Sequence, residues 1–175
     1  LTGADLTDAN LSGANLSTTN IFGIVDGINI LEKTKLKGAN LTNANLTNIN
    51  LIAVDISEAI LNGADLTGAK LERVKANNAT IEDVDLSFKN LSKIRLIDSH
   101  LSRTIFSDAN LSNAKLMGAN LSDADLTDAN LTYADLANAN LTGAIFHMAN
   151  LTGANLEGVI ISETNLNCIG HEICT

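Results

Sequence analysis

Three histidines, two cysteines and twenty acidic residues are the side chains of this 175-residue sequence that bear on catalysis or metal binding. His100, His147 and His171 lie far apart along the chain, so neither a Ser–His–Asp nor a Cys–His arrangement is expected. There is no phosphate-binding loop, no G-x-S-x-G elbow and no H-E-x-x-H helix. Cys168 and Cys174 are spaced C-x5-C in "NLNCIGHEICT", with His171 between them. One histidine and two cysteines make a poor zinc set. The pair reads as a disulfide staple, with two reduced, partly buried thiols as the alternative. The acids recur at fixed places in a short repeat, so their number speaks for a scaffold and not for acid–base catalysis. No catalytic residue, cofactor or metal is expected, and the chain does not read as an enzyme.

The elements that must position these groups follow from that repeat. In "ANLSDADLTDANLTYADLANANLTGA" a Leu returns every five residues, with Ala two places before it. The centres run Leu1, Leu6, Leu11, Leu16, Ile21, and again from Leu36 to Leu166 without a slip. An α-helix turns about 100° per residue, so five residues overshoot a turn by roughly 140° and the leucines form no stripe. A flat strand alternates sides, so an odd repeat would throw successive leucines to opposite faces. A chain that bends after each centre resolves the conflict. Ala and Leu of each unit then point inward, and the Gly, Asn or Asp two places after the centre takes the corner. The pattern predicts a parallel β-solenoid. Its interior is narrow and aliphatic, matching 3% aromatic residues and no Trp or Pro.

Units such as "ADLTD" (124–128), "ANLTY" (129–133) and "ANLTG" (139–143) resemble the A(D/N)LxX consensus of pentapeptide-repeat proteins, over nearly the whole chain. The resemblance implies an all-β fold: a right-handed quadrilateral parallel β-helix of about eight coils, four units per coil. Residues 1–175 then form a single domain. The resemblance is richest among cyanobacterial members, some exported to the periplasm or the thylakoid lumen. Together with a Cys168–Cys174 staple it favours such a compartment over the cytoplasm. Leu1 enters in mid-pattern, which leaves room for an upstream segment, and the first residues do not read as a signal peptide. No apolar run approaches the roughly 18–20 residues that cross a bilayer, so no membrane insertion is expected.

Function is expected where the five-residue words are misspelled. In "FGIVDGINILEKTK" (22–35) Asp26 would fall on an inward centre, where an unpaired charge is costly. About ten to fourteen of these residues read as a loop leaving the helix, with a distorted coil as the alternative. Phe22, Ile24, Val25, Asp26 and Ile28 make it a candidate docking loop. In 73–105, Val74, Val84, Ile94, Ser99 and Thr104 replace the inward Ala, and Ala76 replaces a central Leu. Lys89 also falls on an inward site; either its stem lines the edge while its amine reaches water, or the coil bulges. At 167–175 the chain leaves the pattern as a C-terminal cap, for which Ile169 and Ile173 would cover the last coil.

With twenty residues per coil, residues twenty apart stack in columns. Arg73, Lys75, Lys93, Arg95 and Lys115 gather into a basic patch over three coils, with Ile97 and Met117 as an apolar spot beside it. Like charges that close repel, unless Glu72 and nearby acids screen them. Residues 116–175 hold seven acids and no Lys or Arg, and the chain carries a net charge of −9. Asn90, Asn110, Asn130 and Asn150 should stack as an amide ladder.

These features favour a non-enzymatic structural or protein-interaction scaffold, acting as a monomer or an end-to-end dimer on an unknown protein partner. Direct nucleic-acid binding is not expected from so acidic a chain. The alternative comes from the resemblance: some pentapeptide-repeat proteins bind and protect DNA gyrase by mimicking duplex DNA. The −9 charge fits that, and the basic patch counts against it.

Overall fold

The computed structural model describes residues 6–16 and 35–174, and the backbone alone of 23–25 and 28–30. Each five-residue unit closes in a four-residue turn. In the unit centred on Leu41, the Leu41 carbonyl accepts from Ala44 N at 3.0 Å. The residue two past the centre has a positive φ, between +54° and +70° from Asp8 to Glu163. A left-handed residue at the third turn position alone is the type II signature. Gly, Asn and Asp adopt it readily, which is why they recur at that place. Arg73, Phe88, Lys93 and Tyr133 adopt it too, against the steric penalty on an L side chain.

Four such turns make a square coil, and coils pair along the axis through single bridges instead of long strands. Asn40 bridges Ile60, Ile60 bridges Thr80 and Thr80 bridges His100, each twenty residues on. The bonds alternate in direction: Leu41 N donates to Ile60 O at 2.7 Å, and Ile60 N donates to Ala39 O at 3.0 Å. Inward Leu, Ile and Ala fill the core from Leu36 to Leu151, joined by Phe106 and Phe146 at two centres.

The substituted inward positions keep their place. Val74, Val84 and Ile94 are buried, as are Ser99 and Thr104. Ser99 Oγ donates to Leu96 O at 2.6 Å and Thr104 Oγ1 donates to Ile81 O, so neither hydroxyl is left without a partner. Ala76 is fully buried in the column between Ile56 and Leu96. Its missing volume is offset by Val74 and Val84 at neighbouring inward sites.

Three irregularities matter for function. Near the N-terminus, Asn10 bridges Asn40 and Asn15 bridges Asn45, a separation of thirty in place of twenty. Ten additional residues thus lie between Leu16 and Lys35. Within them β1 (Gly23–Val25) pairs antiparallel with β2 (Ile28–Ile30), with Ile24 opposite Asn29 and Val25 opposite Ile28. Phe22 and Asp26 of the expected docking loop lie outside the described residues.

At the C-terminus Asn150 bridges Ile169, nineteen residues on, so the last coil is one residue short. That slip corrects the expected cap. The Ile169 backbone continues the ladder through Leu151 N and Ala149 O, but its side chain is half exposed. Cys168, buried, and Ile173, packed against the core, provide the cover.

The third irregularity lies between the coils carrying residues 63–71 and 82–90, where the ladder parts. Neither Asp65 and Asp85 nor Lys70 and Asn90 form a bridge. Lys89, partly buried, sits on the inward site of the parted side.

Candidate functional site

The basic residues meet on one corner because their spacing follows the coil. Lys75 bridges Arg95, and Arg95 bridges Lys115. Arg73 and Lys93 occupy the left-handed turn position just before, each at φ +60°. That geometry turns both side chains off the corner into solvent. Ile97 is partly buried beside them and Met117 is 36% exposed.

The charges are not equivalent. Lys75 Nζ lies 2.7 Å from Asp55 Oδ2, and Lys115 Nζ lies 3.4 Å from Asp135 Oδ2. Both acids belong to the same column as the lysines they meet. Of the acids expected to screen the patch, Asp55 and Asp135 thus screen two of its cations, while Glu72 accepts from Asn90 Nδ2 at 3.2 Å. Its other carboxylate oxygen is buried without a partner. Arg73, Lys93 and Arg95 form no ion pair among the described residues. The corner therefore presents three free cations between two neutralised ones. Such an array suits carboxylates, which arginine engages in a bidentate way.

Cys168 and Cys174 are bonded to each other, with their Cα atoms 5.0 Å apart. His171 lies within the loop they close, where its Nδ1 accepts from Ile173 N at 3.2 Å. His147 Nδ1 meets Asn167 Nδ2 at 3.1 Å on the coil above it. Among the described residues no three His, Cys, Asp or Glu side chains group as metal ligands do, and no helix is long and apolar enough to cross a membrane. The amide ladder runs from Asn90 through Asn110 to Asn130 at 3.4 Å per step and ends there, Asn150 Oδ1 accepting instead from Thr152. A second one links Asn120 to Asn140 at 3.2 Å.

Repeated five-residue turns stacked twenty residues apart have a counterpart among known families. The family model for pentapeptide repeats matches in eight copies, over residues 1–23, 34–73, 49–87, 85–123 and 119–158. This chain belongs to the pentapeptide-repeat family. Its fold is accordingly the right-handed quadrilateral β-helix.

Among solved structures, it is similar to the pentapeptide-repeat protein Rfr23 from the cyanobacterium Cyanothece 51142. The two are 30% identical over 94% of this chain and 88% of that one, with a TM-score of 0.43. HetL, from the cyanobacterium Nostoc sp. strain PCC 7120 and involved in heterocyst differentiation regulation, is 29% identical over 98% of this chain and 90% of its own, with a TM-score of 0.34. A trypsin-treated variant of QnrB1, a plasmid-mediated fluoroquinolone resistance protein, is 25% identical over 87% and 77%, with a TM-score of 0.44. No curated protein matches.

Set against the regular repeat, one feature escaped the sequence. A cleft of about 410 Å³ opens from the side of the rod, lined by Asp65, Thr67, Asp85, Ser87, Phe88 and Lys89. Its lining residues come from two successive coils. The signal was there in part, since Asp65 and Asp85 fall in one column beside the inward Lys89. Phe88 stands 77% exposed at the corner.

Proposed function

We propose that this pentapeptide-repeat protein is a non-enzymatic interaction scaffold whose Arg73–Lys93–Arg95 corner binds an acidic surface of a partner protein. The observation that supports this is the unequal pairing along one column. Asp55 and Asp135 neutralise the two ends, while the middle is left cationic. Free like charges on adjacent coils repel, and a partner carboxylate relieves that repulsion. Ile97 and Met117 add an apolar edge to the same face. The test is affinity capture from a cyanobacterial extract, with the Arg73→Glu/Lys93→Glu/Arg95→Glu variant run in parallel. A partner bound by the native protein and lost in the variant supports the proposal. The same set of proteins on both would sink it.

A second function, binding and protecting DNA gyrase, is favoured by the stretch 116–175 with seven acids and no Lys or Arg. Duplex DNA is uniformly negative, and the cationic corner breaks that uniformity. A supercoiling assay separates the two. If a molar excess of protein neither inhibits gyrase nor relieves fluoroquinolone inhibition, gyrase is not the target.

A further inference from the structure

Six consecutive inter-coil backbone hydrogen bonds are absent at one interval of the rod, at whose edge Glu82 N donates instead to Asn62 Oδ1 at 2.9 Å. The ladder pattern calls for Gly63, Leu66, Gly68 and Leu71 N–H groups to donate to the carbonyls of Glu82, Asp85, Ser87 and Asn90. It also calls for Asp85 and Asn90 N–H groups to donate to Ala64 and Ala69. None of these bonds is made. One coil below, the corresponding bonds are intact: Leu46 N to Asp65 O is 2.9 Å and Leu51 N to Lys70 O is 2.9 Å. One coil above they are intact again, with Leu86 N to Ile105 O and Leu91 N to Asn110 O both 2.8 Å. The rungs resume at once past the gap, where Arg73 N donates to Ser92 O at 3.1 Å.

The sequence at the gap departs from the repeat. Asp65 and Asp85 stack in one column, with the Lys89 charge acting favourably on both carboxylates. Lys89 occupies an inward site that Ala69 and Ala109 fill in the adjoining coils, and its amine cannot enter the core. The parting reaches the core: Ala64 is 7% and Ala69 8% exposed, against 1% for Ala44 and Ala109.

We propose that this cleft is a strand-acceptor site, which takes an extended, Lys- or Arg-bearing peptide segment of a partner protein between the two coils. A row of alternating backbone donors and acceptors is complementary to another extended backbone, the basis of strand addition at sheet edges. Its walls carry Asp65 and Asp85 against the single cation Lys89. That balance selects a basic segment over an acidic one. Thr67 and Ser87 line the cleft, and Phe88 stands exposed at its mouth, able to cover an inserted chain. This site lies on a different corner from the Arg73–Arg95 patch and stands independently of it.

The probe is a short acetylated peptide of alternating threonine and arginine, labelled for fluorescence anisotropy. Two controls accompany it: the same peptide N-methylated at alternate amides, and a threonine–glutamate version. In the free protein, amide exchange at Leu66, Gly68, Asp85 and Asn90 should be faster than at Leu86, Phe88, Ile105 and Asn110, and the bound peptide should slow it. N-methylation should weaken binding by about tenfold or more, and the glutamate peptide should not bind. Lys89→Ala restores the ordinary small residue and should close the ladder, raise the melting temperature and weaken the peptide by a similar factor. That last result is diagnostic, because removing a cation would strengthen mere electrostatic attraction to arginine. Slow exchange at the gap amides, or equal binding by the N-methylated peptide or by Lys89→Ala, would overturn the proposal. A native dimer that Lys89→Ala dissociates would assign the cleft to a second copy of this chain and overturn the partner assignment.

Discussion

Lys75 reaches down its column to Asp55 at 2.7 Å, and Arg95, the next residue up that column, has no acid to reach. Arg95 stands between Lys75 and Lys115, so its charge is unfavourable where it is. Arg95→Glu turns two repulsive neighbours into two attractive ones. We expect it to raise stability by up to about 1 kcal/mol at low salt, the scale of exposed ion pairs. The gain should fade at high salt. Thermal melts at two ionic strengths check this. A variant more stable yet unable to bind its partner would mark Arg95 as kept for recognition.

Ala76 departs from the repeat at a central site, and consensus reasoning would restore leucine there. The structure predicts the opposite. Ala76 is fully buried, and Val74 and Val84 already supply extra volume at that level. Ala76→Leu should overpack the coil and cost about 1–3 kcal/mol. Leu96→Ala, one coil on, should cost about 2–5 kcal/mol by leaving a cavity. Denaturant unfolding of the two variants reports both.

Much of this architecture is legible in the sequence, because the inward residues and the corner residues repeat at a fixed distance. The columns follow by counting in twenties, and so does the pairing of Lys75 with Asp55 and Lys115 with Asp135. Both acids stand in the column that the sequence already spells. The cap was less legible, since one residue dropped after Leu166 moves Cys168 inward and Ile169 outward. Least legible was the parted ladder. Lys89 is odd on its own, but a one-dimensional repeat shows which residues stack without showing that the rungs beside it fail to pair.

Cys168 and Cys174 close a small loop over the last coil, with six residues of sequence separation. Chain-entropy arguments put the contribution of so short a loop at about 2 kcal/mol. In a solenoid each coil leans only on its neighbours, so the loss should stay local. Reduction, or Cys168→Ser with Cys174→Ser, should speed amide exchange at Ile160, Asn165 and Ile169 and leave Leu111 and Leu116 protected. Intact mass after alkylation with and without reductant checks the bond itself. Labelling of both cysteines without reductant would count against it.

Acid should loosen the rod through its corner aspartates. Burial pushes Asp55 and Asp125 upward, but hydrogen bonds, from Lys75 to Asp55 and from Thr127 to Asp125, outweigh it and hold both below the ordinary carboxylate value. Thr67 does the same for Asp65, Arg103 for Asp83 and Ser87 for Asp85. The unfolded chain therefore takes up protons first as pH falls. The stability these groups give is complete above the ordinary value of about 4, and drains away as pH drops through their lower folded values. Melting temperature should be flat above about pH 5 and decline below about pH 4. A melting temperature that rises on acidification would contradict the assignment.

The parted interval also has a mechanical meaning. A stack of coils resists bending through the rungs on every side, and here one side has lost six in succession. The rod is stiff above and below and compliant between, with a hinge that opens toward Asp65 and Asp85. Pulled from its ends, it should yield first at that joint, giving an early length step in force spectroscopy that Lys89→Ala removes. Among the described coils, the rod thus carries a joint where it can flex.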